Sequence, residues 1–517
     1  MRRGKIAHSN RVWAWALLLL MALGLRVAGL GRQSLWIDEA YSVKYAHLGG
    51  SLTWDDYLDN LHGPLHTILL HNWCTIAGDG EAALRWPSVM ASVLTLPFFW
   101  RLTRRLIGAR GAWAATAAIA VSPFSIWYAQ EVRNYSLFLL MACVALLAWF
   151  RSLDGPGHIG RWILHVLLLF GAFLSNLASL FIIPVQLIWL IGRRRSHWVS
   201  TLSAWAAVML LLLPWEIRFY NYRVVPSGLL DKTKTVELAP AREETWASSW
   251  SIPFTYYAFA GGYTLGPPLE ELHEDRIGAL KHHMPLLIAA ALLFAGLIGW
   301  GVVGRREPNR KQRLRLLAWL LIPPLGVWLI SLLNLKAMNP RYALVAYPAF
   351  LVLLAAGWIS MKRRGVRIAA AIAVLAIWGL CWGRVQWDEA YAKEDYRSIS
   401  GWMREQLDAE VLWITIGVDD PLRIYYLRDC FNGMDLKVGT YRRLTSYPPS
   451  HWDRFWNETE ELASEHRRIL LFESRTWHLD PDGRGPGLLR KYCSNPETIN
   501  RHGIRVLKCE RGENTDD

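Results

Sequence analysis

The chain has 517 residues, 53% of them hydrophobic, with 29 Trp and a formal charge of +14. A soluble protein of this length would divide into several separately cored domains. Here the apolar residues are blocked into long runs instead, which excludes that class and points to a multi-pass membrane protein.

A membrane-spanning helix needs roughly 20 mostly apolar residues. Runs of that kind cover 12–30, 84–100, 112–128, 135–150, 161–173, 177–191, 198–215, 283–303, 314–333, 342–359 and 366–383. They predict about eleven transmembrane helices, with a turn at Ser175-Asn176 splitting 161–191 into two. No small-residue cleavage site follows the first run, so it is expected to be retained as a helix. If the spans alternate from inside, the inner segments 1–11, 101–111, 151–161, 192–198, 304–315 and 361–367 hold 23 Lys/Arg against only Asp154 and Glu307. The tail 384–517 holds 20 Lys/Arg and 24 Asp/Glu. This is the positive-inside pattern, and it predicts N-terminus in and C-terminus out. The basic excess therefore reports orientation, and nucleic-acid binding is the poorer explanation.

Two domains are expected: a transmembrane domain, 1–383, with outer loops 31–83 and 216–282, and an extracytoplasmic α/β domain, 384–517. In the first loop, "PLHTILLHNWCTIAG" (64–78) is apolar but too short to span, which predicts an interfacial helix. Trp54 and Tyr57, just before it, suit headgroup depth. The second loop carries "TWASSWSIPFTYYAFAGGYTLGPPLEELH", too apolar for a linker and expected to close over something as a lid. In the tail, 395–408 has helical spacing, while 410–417, 467–474 and 504–510 read as short buried strands. Alternating helices and strands predict the small α/β domain. It contains no G-x-G-x-x-G and no P-loop. Of the six Cys, at 74, 143, 381, 430, 493 and 509, the pair Cys493 and Cys509 can either form a disulfide outside the cell or remain free.

Ionisable groups at the membrane are expensive and raise a functional question wherever they occur. "SLWIDEAYS" (34–42) sets Asp38 and Glu39 side by side, flanked by Trp36 and Tyr41. One reading is a helix cap formed by Asp38; the other is a catalytic base. "HGPLH" (62–66) adds His62 and His66, in a spacing that matches no metal-ligand pattern. "SPFSIWYAQEVRNYS" (122–136) packs Gln130, Glu131, Arg133, Asn134 and Tyr135 into one outer turn. "NLKAMNPRYAL" (334–344) places Lys336, Arg341 and Tyr342 at the outer entrance of a span, against the positive-inside trend. Cations there suit a phosphate, which a guanidinium can grip in two places. Arg26, near the outer end of the first span, either joins them or snorkels to the headgroups. The spans themselves are nearly free of acids, which fits group transfer from a lipid phosphate better than transport.

Four stretches together resemble a known family: "GLRVAGLGRQSLWIDEAYS", "HGPLHTILLHNWCTIAGDGEAALRWPSVMASVLTLPFFWRLTRRLIG", "SPFSIWYAQEVRNYSLFLLM" and "NPRYALVAYPAFLVLLAAG". They are similar to the bacterial membrane glycosyltransferases of the GT-C fold related to protein O-mannosyltransferases and to the aminoarabinose transferase of lipid A. The resemblance covers the first four spans well, reaches the tenth, and fades in the tail. It implies a GT-C-like all-α membrane domain and transfer of a sugar from a polyprenyl-phosphate donor to an acceptor hydroxyl on a lipid, glycan or protein. It places the reaction at the outer face of the cytoplasmic membrane, with inversion at the sugar. It implies Asp38 as general base with Glu39 as neighbour, and Arg341, Lys336, Arg133 and Arg26 as phosphate ligands, Arg341 foremost. Trp36, Tyr41, His62, His66, Arg85, Gln130, Glu131, Tyr135 and Tyr342 would line the substrate pocket, Arg85 orienting Asp38. Where the family often has Pro-Pro, this chain has Gly63-Pro64. No cofactor is implied, and divalent-metal dependence is left open. A ligase or polymerase acting on lipid-linked oligosaccharide, and a transporter or flippase, are the rival readings.

Overall fold

The structure, a computed structural model, describes residues 2–48, 63–154, 158–221, 250–304, 308–332, 338–432, 435–447, 449–476, 479–493 and 495–511. His62, Lys336, Trp54 and Tyr57 lie outside them. In chain order the helices are α1 (Arg2–Val27), α2 (Ile37–Leu48), α3 (Leu65–Ala77), α4 (Glu81–Val121), α5 (Pro123–Ala129), α6 (Tyr135–Asp154), α7 (Ile159–Ser175), α8 (Ile182–Leu190) and α9 (Arg195–Phe219). There follow α10 (Ser251–Gly261), α11 (Leu269–Glu274), α12 (Arg276–Val303), α13 (Arg310–Leu332), α14 (Tyr347–Ser360) and α15 (Arg364–Trp387). The tail contributes α16 (Tyr396–Gln406), β1 (Val411–Gly417), β2 (Phe431–Asn432), β3 (Asp435–Leu436), β4 (Thr440–Arg443), α17 (Trp452–Glu465), β5 (Arg468–Ser474), α18 (Arg484–Tyr492), β6 (Glu497–Arg501) and β7 (Ile504–Glu510).

The chain forms two compact units. The first comprises Met1–Leu30, Gly49–Leu230 and Thr245–Asp388; the second comprises Gly31–Leu48, Asp231–Glu244 and Glu389–Asp517. Among the described residues of the first unit seven elements are long and apolar enough to cross a membrane, and Val12–Val27, Ile159–Ser175 and Leu177–Leu190 are shorter apolar helices. The predicted runs 84–100 and 112–128 share the single element α4. It breaks at Ile107–Gly108, where Gly108 has φ +71°, a conformation open to glycine at little steric cost. The second of these runs ends at Val121 rather than 128. There Ser122 caps α5, accepting from the Ser125 N–H, and Pro123 takes the first helical position.

Close helix contact in this unit depends on absent side chains. A Cβ on Gly357 of α14 would lie 1.9 Å from the Leu297 carbonyl oxygen of α12, and one on Gly301 would lie 2.3 Å from that of Leu353. Small residues at a helix crossing let backbones approach where lipid supplies no hydrophobic drive. Gly63 has the same role, since a Cβ there would meet the Leu174 carbonyl oxygen at 2.1 Å. Two fully buried Trp side chains satisfy their indole N–H across the bundle, Trp319 to the Val345 carbonyl (2.7 Å) and Trp149 to Thr201 Oγ1 (3.1 Å).

The stretch expected to close as a lid is described from residue 250 onward. Ser251–Gly261 is helical, and Phe259 is buried in the bundle core between Phe124 (5.1 Å) and Tyr347 (5.3 Å). Phe254 in the same helix is exposed, and 222–249 lie outside the described residues.

In the second unit the sheet order is β4-β1-β5-β7-β6, with β4, β1 and β5 parallel and β7 antiparallel to both β5 and β6. β1, "VLWITIG", is buried throughout, as a central parallel strand covered on both faces should be. One core holds Ile399, Met403, Trp413, Leu470 and Phe472, and the other holds Ile414, Phe455, Leu471 and Leu489. The predicted strands and the helix at 395–408 are all present within two residues. Cys493, following α18, is disulfide-bonded to Cys509 of β7.

Candidate active site

The acidic pair lies in the first turn of α2, and the structure gives its members different work. Glu39 is fully buried. Its carboxylate accepts from the Trp36 N–H (3.4 Å), and from Lys393 Nζ at 3.0 Å. That is how an acid on the third residue of a helix reaches back over its own N-terminus. Lys393 Nζ also lies 5.7 Å from the Trp36 ring centroid. Asp38 is half-exposed instead. It occupies the interior of the first turn, not the capping position, while its carbonyl accepts from Ser42 Oγ (3.1 Å).

Tyr41 is committed elsewhere. Its hydroxyl donates to Asp420 Oδ1 (3.0 Å), and burial followed by the Asp420 charge pushes it up to about 12. Asp420 is clasped by Arg443 (2.6 Å) and Arg423 (3.0 Å). Its neighbour Asp419 accepts from Tyr441 (2.5 Å) and Thr415 (3.0 Å). Burial raises the Asp420 carboxyl, but Arg443, Arg423 and the Tyr41 hydrogen bond outweigh it and hold the carboxyl below its usual range. The Leu35 N–H donates to Tyr426 OH (2.9 Å), so residues 34–42 are fastened at both ends.

In the membrane unit the turn after α5 is buried, including Glu131, Arg133, Asn134 and Tyr135. Gln130 Nε2 donates to the carbonyls of Arg26 (3.0 Å) and Ala28 (2.8 Å), and Asn134 Nδ2 to that of Ser175 (2.5 Å). Two guanidiniums converge on one ring: Arg133 lies 5.7 Å and Arg341 5.6 Å from the Tyr135 centroid, and Arg341 lies 5.4 Å from that of Tyr342. His66 is buried beside them. Burial, and then the Arg133 charge, pull it down to about 3, so it is neutral at physiological pH. Among the described residues its Nε2 has no hydrogen-bond partner.

Arg26 does not join this group. It is fully buried and donates to Ser92, Ser125 and the carbonyls of Ala22, Ile119 and Ala120 at 2.7–3.2 Å. Its guanidinium ties α1 to α4 and α5. Arg85 is buried and donates to the Leu30 carbonyl (2.7 Å). Among the described residues no cluster of three or more His, Cys, Asp or Glu could hold a metal. The Asp419–Asp420–Arg423–Tyr441–Arg443 network was not foreseen. The cue was "VDDP" ending one strand and "TYRR" forming the next, which parallel register brings together.

Residues 61–216 match the family described as dolichyl-phosphate-mannose-protein mannosyltransferase. No curated protein sequence matches the chain. Among solved structures, ArnT from Cupriavidus metallidurans bound to undecaprenyl phosphate aligns at TM-score 0.59 and 12% identity, over 97% of this chain and 98% of ArnT. AglB, an archaeal oligosaccharyltransferase from Archaeoglobus fulgidus solved with an inhibitory peptide and a dolichol-phosphate, aligns at TM-score 0.53 and 14% identity, over 96% and 74%. The mycobacterial arabinofuranosyltransferase AftD aligns at 0.51 and 13%, over 97% of this chain but only 42% of its own. At such identities the likeness is one of fold: the chain has the GT-C fold that these glycosyltransferases share.

Proposed function

We propose that the protein transfers a sugar from a polyprenyl-phosphate donor to an acceptor hydroxyl at the outer face of the cytoplasmic membrane. The observation that carries this reading is the division of labour in the acidic pair. Glu39 caps the helix and pairs with Lys393, so Asp38 is not needed for the cap, and it lies partly exposed in the first turn of the helix. A general base must be open to its substrate in this way.

The chemistry follows from the residues. Asp38 takes the acceptor's proton as its oxygen attacks the anomeric carbon; the phosphate leaves on its lipid, and a single displacement inverts the sugar. Arg133 and Arg341 supply positive charge for the leaving phosphate, where charge develops. Both guanidiniums lie against the Tyr135 ring, at 5.7 and 5.6 Å from its centroid, a cationic setting that suits a phosphate. Neutral His66 offers a hydrogen bond without adding charge. The basic inner loops support eleven crossings, with the disulfide-bearing C-terminal domain and residues 31–48 outside. The solved relatives of this fold that hold undecaprenyl phosphate or dolichol-phosphate support the donor class.

Asp38→Asn is expected to abolish transfer, since general-base catalysis is worth typically 10²–10⁴-fold, with yield and melting unchanged. Arg341→Ala is expected to weaken retention of the copurifying lipid, read by mass spectrometry of the extracted complex. Retention at the wild-type level would move the phosphate role to Arg133. The likeness to an oligosaccharyltransferase keeps one second reading in play, en bloc transfer of a lipid-linked oligosaccharide. The mass added to the acceptor separates the two.

A further inference from the structure

The carboxyl edge of a parallel sheet is where α/β domains ordinarily hold a ligand. In the second unit that edge holds a helix of the same chain. β1 and β4 run parallel with Thr415 opposite Arg443, so Asp420, just past the end of β1, meets the guanidinium at the end of β4. Asp420 is buried and clasped by Arg443 (2.6 Å) and Arg423 (3.0 Å). Two ion pairs thus fix its carboxylate, and the Tyr41 hydroxyl of α2 donates to that fixed group at 3.0 Å.

Apolar packing sets the rotation of α2 only weakly. The helix lies on the turn Leu422–Tyr426, and its fully buried apolar residues are Ala40, Val43 and Ala46. Side chains that small form shallow ridges with little to interlock. Polar contacts must therefore orient the helix, and they differ in stiffness. Glu39 is held by Lys393, a cation on a flexible four-carbon stem. At the far end the contact between Arg428 Nη1 and His47 Nδ1 (3.0 Å) is exposed. Tyr41 instead joins a rigid ring with two side-chain torsions to a carboxylate that cannot move. It stands three residues after Asp38, and residues so spaced are neighbours on a helix surface. What holds Tyr41 therefore holds the turn that carries Asp38.

We propose that Tyr41 is a positioning residue for Asp38: its hydroxyl, seated on Asp420, fixes the rotation of α2 and so the direction in which the base meets the acceptor hydroxyl. The buried ion pairs at the sheet edge are the socket of the base-bearing helix. The C-terminal domain, which carries no nucleotide motif, then serves the reaction by aiming its base. The inference rests on Asp38 being that base, and its test separates the two.

The full-length protein is placed in nanodiscs with its copurified donor lipid, and a detergent extract of the cell envelope is titrated in as the source of acceptor. Released polyprenyl phosphate gives kcat and an apparent KM. Tyr41→Phe keeps the ring and removes only the hydroxyl. It is expected to lower kcat by about ten- to a hundredfold, the scale set by moving a catalytic group about 1 Å. KM and bound lipid should stay at the wild-type level, the mark of an interaction that acts in the transition state. Hydrogen exchange should rise in residues 37–47 and stay unchanged in β5 and β7. As a control, Tyr492→Phe removes a hydroxyl that donates to the Glu460 carbonyl (3.1 Å) in the same unit, away from α2, and should leave kcat alone. Wild-type kcat in Tyr41→Phe, or unchanged exchange in 37–47, overturns the positioning role and leaves the base assignment standing. An equal fall in Tyr492→Phe overturns it too, since the effect would then be general loosening. An active Asp38→Asn enzyme overturns the base assignment itself, whatever Tyr41→Phe does.

Discussion

The two units keep buried charge in opposite ways. In the helical unit Arg26 is held without a carboxylate, by two serine hydroxyls and three backbone carbonyls. In the C-terminal unit Asp419 and Asp420 face Arg423 and Arg443 directly, with Tyr41 and Tyr441 completing their hydrogen bonds. The difference follows from the solvent each unit meets. Acids are costly in a lipid-facing bundle, so a structural cation there is neutralised by dipoles. A water-facing α/β domain can bury ion pairs when every donor and acceptor is matched.

Substitutions should expose this contrast in order of size. Arg443→Met leaves Asp420 short of its best partner, and breaking one side of a buried pair typically costs about 3–5 kcal/mol. Denaturant unfolding of the C-terminal unit should register that loss, while the helical signal stays in place. Arg26→Met should cost less, about 1–3 kcal/mol, because dipoles and not an opposite charge are left behind. Thermal melting of the helical signal measures it, and a loss equal to that of Arg443→Met would erase the distinction. The smallest effect is on pH. Asp420 is held below the ordinary carboxyl value of 3.8, so its stabilisation is complete above that value and is lost as pH falls through the lower folded one. Hydrogen exchange should therefore show β1 and β4 losing protection below about pH 4 before the helices do.

Much of this was legible in the sequence because the signals are local. The apolar runs, the short helix after "HGP" and the buried strands "VLWITIG" and "RILLFES" are written in consecutive residues. β4 and β6 were missed because they are short and polar, and only pairing makes them strands. The grouping of residues 31–48 with the tail is non-local: it depends on contacts such as Leu35 to Tyr426 and Tyr41 to Asp420, about 380–390 positions apart. The pair Asp38-Glu39 reads as two equivalent acids until Lys393 and the Trp36 N–H claim one of them. The five hydrogen bonds of Arg26 reach across the bundle to partners the sequence does not mark.

The most direct test of the account is release of polyprenyl phosphate by the nanodisc-embedded protein carrying its copurified donor lipid, compared between wild type, Asp38→Asn and Glu39→Gln. The account predicts release on addition of the acceptor by wild type, none by Asp38→Asn although its lipid remains bound, and reduced but measurable release by a less stable Glu39→Gln. Near-normal release by Asp38→Asn would contradict it.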